Sequence, residues 1–92
     1  MPIFHVEYTY APDATALRDD FRPEHREFLG ALHDAGDLLM VGPFLDGSGA
    51  TLLVSAENEP AARALLARDP FAREEAIAGV RVVEWKQVFG PF

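Results

Sequence analysis

The chain has 92 residues, the size of one domain, expected to span residues 1–92. It has no cysteine, which excludes disulfides, thiolate metal sites and thiol catalysis. Fifteen acidic against eight basic residues give a net charge of −7, which repels phosphate backbones and argues against a nucleic-acid partner.

The opening stretch, "MPIFHVEYTY", has neither the basic region nor the apolar run of a signal peptide. No segment approaches the roughly 18 consecutive apolar residues of a membrane span. No membrane association is expected, and the expected compartment is the cytoplasm. From Ile3 to Tyr10 the residues alternate. Phe4, Val6, Tyr8 and Tyr10 fall on one face and Ile3, His5, Glu7 and Thr9 on the other, which predicts a strand. Pro12 and Asp13 break it, and Ala14 to Asp20 can form a short helical turn. Pro23 suits the first turn of a helix, where its missing N–H costs nothing. The main first helix is therefore expected from about Arg22 to Ala35, ended by Gly36. It places His25, Phe28, Leu29 and Leu32 on one stripe facing a core.

"DLLMVGPF" gives a second strand from Leu38 to about Gly42, "LDGSGA" supplies turn residues, and Thr51 to Ala56 forms a third strand. Asn58 can cap a second helix with Pro60 in its first turn, running to about Arg68. "DPFAREEA" turns, with Asp69 as an N-cap before Pro70, and Gly79 closes that segment. A long last strand is expected from Val80 to Phe89. The order β-α-β-β-α-β is the ferredoxin-like, α+β arrangement, with four antiparallel strands carrying the helices on one face. The other face has no helix to cover it, and the second and third strands are apolar on both sides. Hydrophobic residues make up 49% of the chain, more than so small a core hides easily, so a homodimer packing sheet against sheet is expected.

Chain direction alone gathers several segments at one end of this topology. The start of the first helix, the end of the second, Gly42, Pro43 and the exit of the first strand all converge there. His25 and Asp69 are among them. An imidazole beside a carboxylate is a proton-transfer pair: the carboxylate fixes the tautomer and favours the imidazolium once it forms. The start of a helix beside His25 opposes positive charge there. No serine or threonine has a base placed beside it, which favours isomerisation or elimination over acyl transfer. His5, His25 and His33 share no face or motif, so no metal site is expected. No glycine-rich phosphate loop follows the first strand, so no cofactor is implied.

"RPEHREFLGAL", "MVGPF" before a glycine-rich turn, "LLARDPF" and a terminal strand holding Trp85 together resemble the YCII-related (YciI-like) family over nearly the whole chain. The resemblance implies a ferredoxin-like fold assembled as a dimeric α+β barrel. It also implies roles. The family pattern pairs R-P-x-H with D-P-F and proposes the histidine and aspartate as a catalytic dyad. Here the matching residues are Arg22, Pro23, His25, Asp69, Pro70 and Phe71.

The expected site is thus a cleft for a small cyclic or carbonyl-containing molecule. His25 acts as general acid/base and Asp69 orients it. Arg22, Gly42, Pro43, Phe44 and Phe71 contact the ligand, with Gly42 allowing close backbone approach. Arg68 and Arg73 flank the "DPF" turn and are further candidates for an anionic group. Two competing readings stand beside this one. The cleft can bind a ligand without turnover, as a sensor or accessory module. Alternatively, His25 and Asp69 merely tie two helices together, with Asp69 serving as a cap.

Overall fold

A computed structural model describes residues 1–91. The chain forms β1 (Ile3–Tyr10), α1 (Thr15–Asp34), β2 (Leu38–Pro43), β3 (Gly49–Ser55), α2 (Glu59–Leu66), α3 (Pro70–Arg73) and β4 (Ile77–Trp85). The strands make one antiparallel sheet in the order β2-β3-β1-β4, the ferredoxin-like arrangement.

The alternation of β1 has the predicted consequence. Phe4, Val6 and Tyr8 are buried on the helix side, opposite Val54, Leu52 and Ala50 of β3. Leu29 and Leu32 of α1, Ala62 and Leu66 of α2, and Val82 of β4 complete this core. Around Phe71 a smaller cluster with Ala14 and Ala76 lies under α3. The opposite face of the sheet carries Ile3, His5, Leu53, Met40, Val83 and Trp85 in register, with no helix over it among the described residues. Met40, Val83 and Trp85 there are exposed.

Apart from shifts of one or two residues at other ends, three boundaries differ from the sequence expectation. A single helix runs from Thr15, so Pro23 lies inside α1 and not in its first turn. Without an N–H, Pro23 cannot bond the Asp19 carbonyl one turn back. Both residues are on the exposed side, where water can take that acceptor. Second, β4 begins at Ile77 and ends at Trp85, so Gly79 is a strand residue opposite Thr9 and not a stop. The stop is Glu75, which holds φ +62° after α3. There the Ala76 N–H reaches the Phe71 carbonyl and closes the turn as a Schellman motif. Third, the last four residues expected in β4 lie beyond it.

The remaining ends follow local chemistry. Gly36 takes φ +85° while the Asp37 N–H bonds the Leu32 carbonyl, the same motif at the end of α1. Asn58 caps α2 by accepting from the Ala61 N–H at 2.8 Å. Gly49 packs so tightly that a Cβ there would collide with the Tyr8 carbonyl oxygen.

Candidate functional site

Asp69 follows α2 in extended backbone, and its carboxylate accepts from the Phe71 N–H at 3.0 Å. It therefore caps α3, with Pro70 placed at the first helical position, where a missing N–H is harmless. The same oxygen, Oδ1, lies 2.7 Å from Nδ1 of His25. The other oxygen, Oδ2, accepts from the Tyr8 hydroxyl at 3.0 Å. Asp69 is 0% exposed, so these three donors replace the water it would otherwise bind.

An ionised carboxylate only accepts hydrogen bonds, so Nδ1 of His25 is the donor and carries the proton of the neutral ring. The lone pair of that ring then resides on Nε2. Among the described residues no buried side-chain nitrogen or oxygen lacks a partner, and Nε2 has no protein partner, so it reaches accessible space. The Phe71 ring stacks on the imidazole with centroids 3.7 Å apart and planes 3° from parallel. One bond and one stack thus fix the ring's position, plane and tautomer together.

Tyr8 comes from the buried face of β1. Burial first, and then the charge of Asp69, push its hydroxyl pKa well above the usual value. It remains a neutral donor. Tyr10, at the end of the same strand, is also raised by burial, while Arg18 and Arg22 act in the opposite direction.

His25 opens into a cleft of about 460 Å³ between α1 and the β2–β3 hairpin. That size suits a small molecule. Phe71, Pro43, Val41, Ala50 and Leu29 give it apolar walls. At its mouth the hairpin is held by Ser48, whose N–H and hydroxyl both donate to Asp46. The hydroxyl bond, then the N–H bond, keep the Asp46 carboxyl below the usual aspartate range.

Of the residues singled out in the sequence, His25, Arg22, Gly42, Pro43 and Phe71 line this cleft, and Asp69 stands behind His25. Phe44 does not line it. It follows the last residue of β2, where the chain leaves the strand for the hairpin turn. Its N–H closes the hairpin onto the Gly49 carbonyl. Arg68 and Arg73 also lie outside the cleft, and Arg73 reaches toward Glu24 at 4.0 Å. His25 is in the middle of α1, not at its start, so the opposing influence of a helix N-terminus does not apply.

The sequence reading missed Tyr8, Arg18 and Arg26. For Tyr8 a signal existed, because a tyrosine on the buried face of a strand needs a partner for its hydroxyl. Arg18, Arg22 and Arg26 recur every four residues, which puts them on one side of a helix once α1 is known to start at Thr15.

The model of the YCII-related domain matches residues 3–86. The chain belongs to the YCII-related family. Among solved structures, this family member is similar to 5-chloro-2-hydroxyhydroquinone dehydrochlorinase from Burkholderia phenoliruptrix AC1100 in complex with 2,5-dihydroxybenzoquinone. The TM-score is 0.83 at 23% identity, covering 94% of this chain and 95% of that one. The likeness shows a shared fold. No curated protein matches the chain. Among the described residues no helix of this YCII-related chain is long and apolar enough to cross a membrane.

Proposed function

We propose that this YCII-related protein is a single-domain enzyme that moves a proton on a small cyclic or carbonyl-containing metabolite, as an isomerase or lyase. His25 is the general acid/base, using Nε2, and Asp69 orients it through Nδ1. The observation that carries the reading is the pairing of a 2.7 Å Nδ1–Oδ1 bond with an imidazole that lines a cleft with apolar walls on part of its surface. A base acts only from within hydrogen-bond reach of the proton it removes, and Nε2 is the nitrogen free to reach it. A proton taken by Nε2 gives an imidazolium beside a carboxylate, which stabilises it, and the same nitrogen then returns the proton. Phe71 and Pro43 are proposed as walls against the substrate ring, with Gly42 and Arg22 beside them. A dehydrochlorinase shares the fold, and elimination of that kind requires a base of this sort. That kinship supports the lyase side of the proposal.

The enzyme is proposed to act as a homodimer joined through the helix-free face of the sheet, where Met40, Val83 and Trp85 leave apolar surface in water. The decisive experiment on the site is a turnover screen with small hydroxyquinones and cyclic keto acids, run on the wild type and on His25→Ala. Activity that disappears in a folded His25→Ala protein supports the assignment. Activity that survives it refutes the acid/base role. A ligand that binds without any turnover across the screen favours the non-catalytic binding module instead.

A further inference from the structure

Fifteen acids and eight bases make this chain acidic, yet three of the eight bases line the one cleft that contains His25. Arg18, Arg22 and Arg26 stand at successive turns of α1, about 6 Å apart along the axis. None of the cleft's lining residues is an aspartate or glutamate. Like charges four residues apart on a helix repel one another, so local helix energetics disfavour the arrangement. The same helix holds Asp19, Asp20, Glu24, Glu27 and Asp34, and all five are outside the cleft.

The three guanidinium groups are not equivalent. Arg18 lies 4.1 Å above the centre of the Tyr10 ring, which holds it against the cleft wall. Arg22 is tied to Asp19 through Nη1. Arg26 has no hydrogen bond, ion pair or ring contact among the described residues. It is one residue from His25 in sequence and lines the same cleft. The opposite side, with Phe71, Pro43 and Val41, is apolar.

We propose that the substrate carries a carboxylate on an apolar ring, and that Arg26, with Arg22 beside it, holds this carboxylate while the ring rests against the apolar wall. The proposal builds on the reading of the cleft as a substrate site and names the chemical class that fits it. A guanidinium presents paired N–H donors matching the two oxygens of a carboxylate. The apolar wall matches a ring, and the positive wall offsets the repulsion an anion meets near a chain of net charge −7. The arrangement also anchors one end of the molecule in the cleft that His25 lines.

Equilibrium binding tests this without the true substrate. Benzoate, benzamide and phenyl phosphate are titrated by calorimetry into the full chain at low salt. Benzoate is expected to bind, and benzamide, the same shape without the charge, to bind at least about tenfold more weakly. Arg26→Gln should cost benzoate a similar factor, and Arg26→Lys should recover part of it. Arg73→Gln, outside the cleft, should change nothing. Equal binding of benzoate and benzamide, no binding of benzoate, or benzoate binding indifferent to Arg26→Gln overturns the proposal. Phenyl phosphate binding where benzoate does not overturns the carboxylate. Benzoate held through Arg26 in a protein without turnover would instead count against the acid/base reading and leave this one intact.

Discussion

Replacing Tyr8 with phenylalanine isolates one hydrogen bond of the site without changing its volume much. The hydroxyl donates to Asp69 Oδ2 at 3.0 Å, and Asp69 is fully buried, so no water can take its place. A hydrogen bond to a charged group is worth roughly 1.5–3 kcal/mol, and removing its donor leaves the acceptor unpaired. Tyr8→Phe should therefore cost about 2 kcal/mol at pH 7–8. With an unfolding entropy of about 2 cal/mol/K per residue, that loss lowers Tm by about 10 °C in a chain of this length. The pH dependence gives a second, independent reading. Burial and Asp69 raise the Tyr8 pKa in the folded state, so its contribution is complete below the unfolded value near 10 and declines above it. The wild type should lose up to about 1.4 kcal/mol per pH unit there from this residue, and the variant none of it. The gap between the two should narrow as pH passes about 10. Every other ionisable group is common to both proteins and cancels in the difference. Thermal unfolding followed by circular dichroism, at equal protein concentration and at pH 8 and 10.5, measures both effects. Equal Tm at pH 8, or a gap that stays constant into alkali, refutes the argument.

Three other outcomes are expected. Gly49→Ala should destabilise by about 1–3 kcal/mol or more, because its Cβ meets the Tyr8 carbonyl and the strand must shift; a Tm within error of wild type would contradict this. His5→Glu places a negative charge among Leu53, Val83 and their neighbours on the helix-free face. It should lower the mass found by light scattering from twice 10.1 kDa toward 10.1 kDa, and a wild type already at the lower mass removes the dimer altogether. A double-mutant cycle on His25→Ala and Asp69→Ala should show coupling of about 1–3 kcal/mol in chemical denaturation, whereas additive losses would mean that the 2.7 Å bond contributes nothing.

The parts of the molecule readable in the sequence are those decided locally. The period of two in β1, the cap and proline of α2, and Gly36 at the end of α1 each depend on residues a few positions apart, and each is found as expected. Pro23 misled because proline at a first turn and proline on a solvated side of a longer helix look alike in sequence. Only the water available to the Asp19 carbonyl separates them. Gly79 misled for a related reason: a glycine that can stop a helix is equally at home opposite Thr9 in a strand. In the candidate site, chain direction was enough to bring His25 and Asp69 to the same region. It could not reveal Tyr8, which meets Asp69 across 61 positions of sequence, since a buried hydroxyl announces a need for a partner but not which partner. The arginine wall was hidden by the helix boundary, since a helix beginning at Arg22 has no place for Arg18.

The tripeptide Asp69-Pro70-Phe71 holds both things that His25 touches, the carboxylate that aims it and the ring that flattens it. The two are joined by a hydrogen bond of their own, from the Phe71 N–H to Asp69. Were α3 to tilt or slide against α1, acceptor and stacking surface would travel as one body, and the imidazole would follow both or lose both. The ring has no intermediate state in which it keeps its aim but is free to tip. Errors in packing elsewhere in the fold therefore reach the histidine as a change of place, not as a loosening of its orientation. For a designer this makes the tripeptide a portable holder, whose fit to a new helix is judged by a single rigid placement.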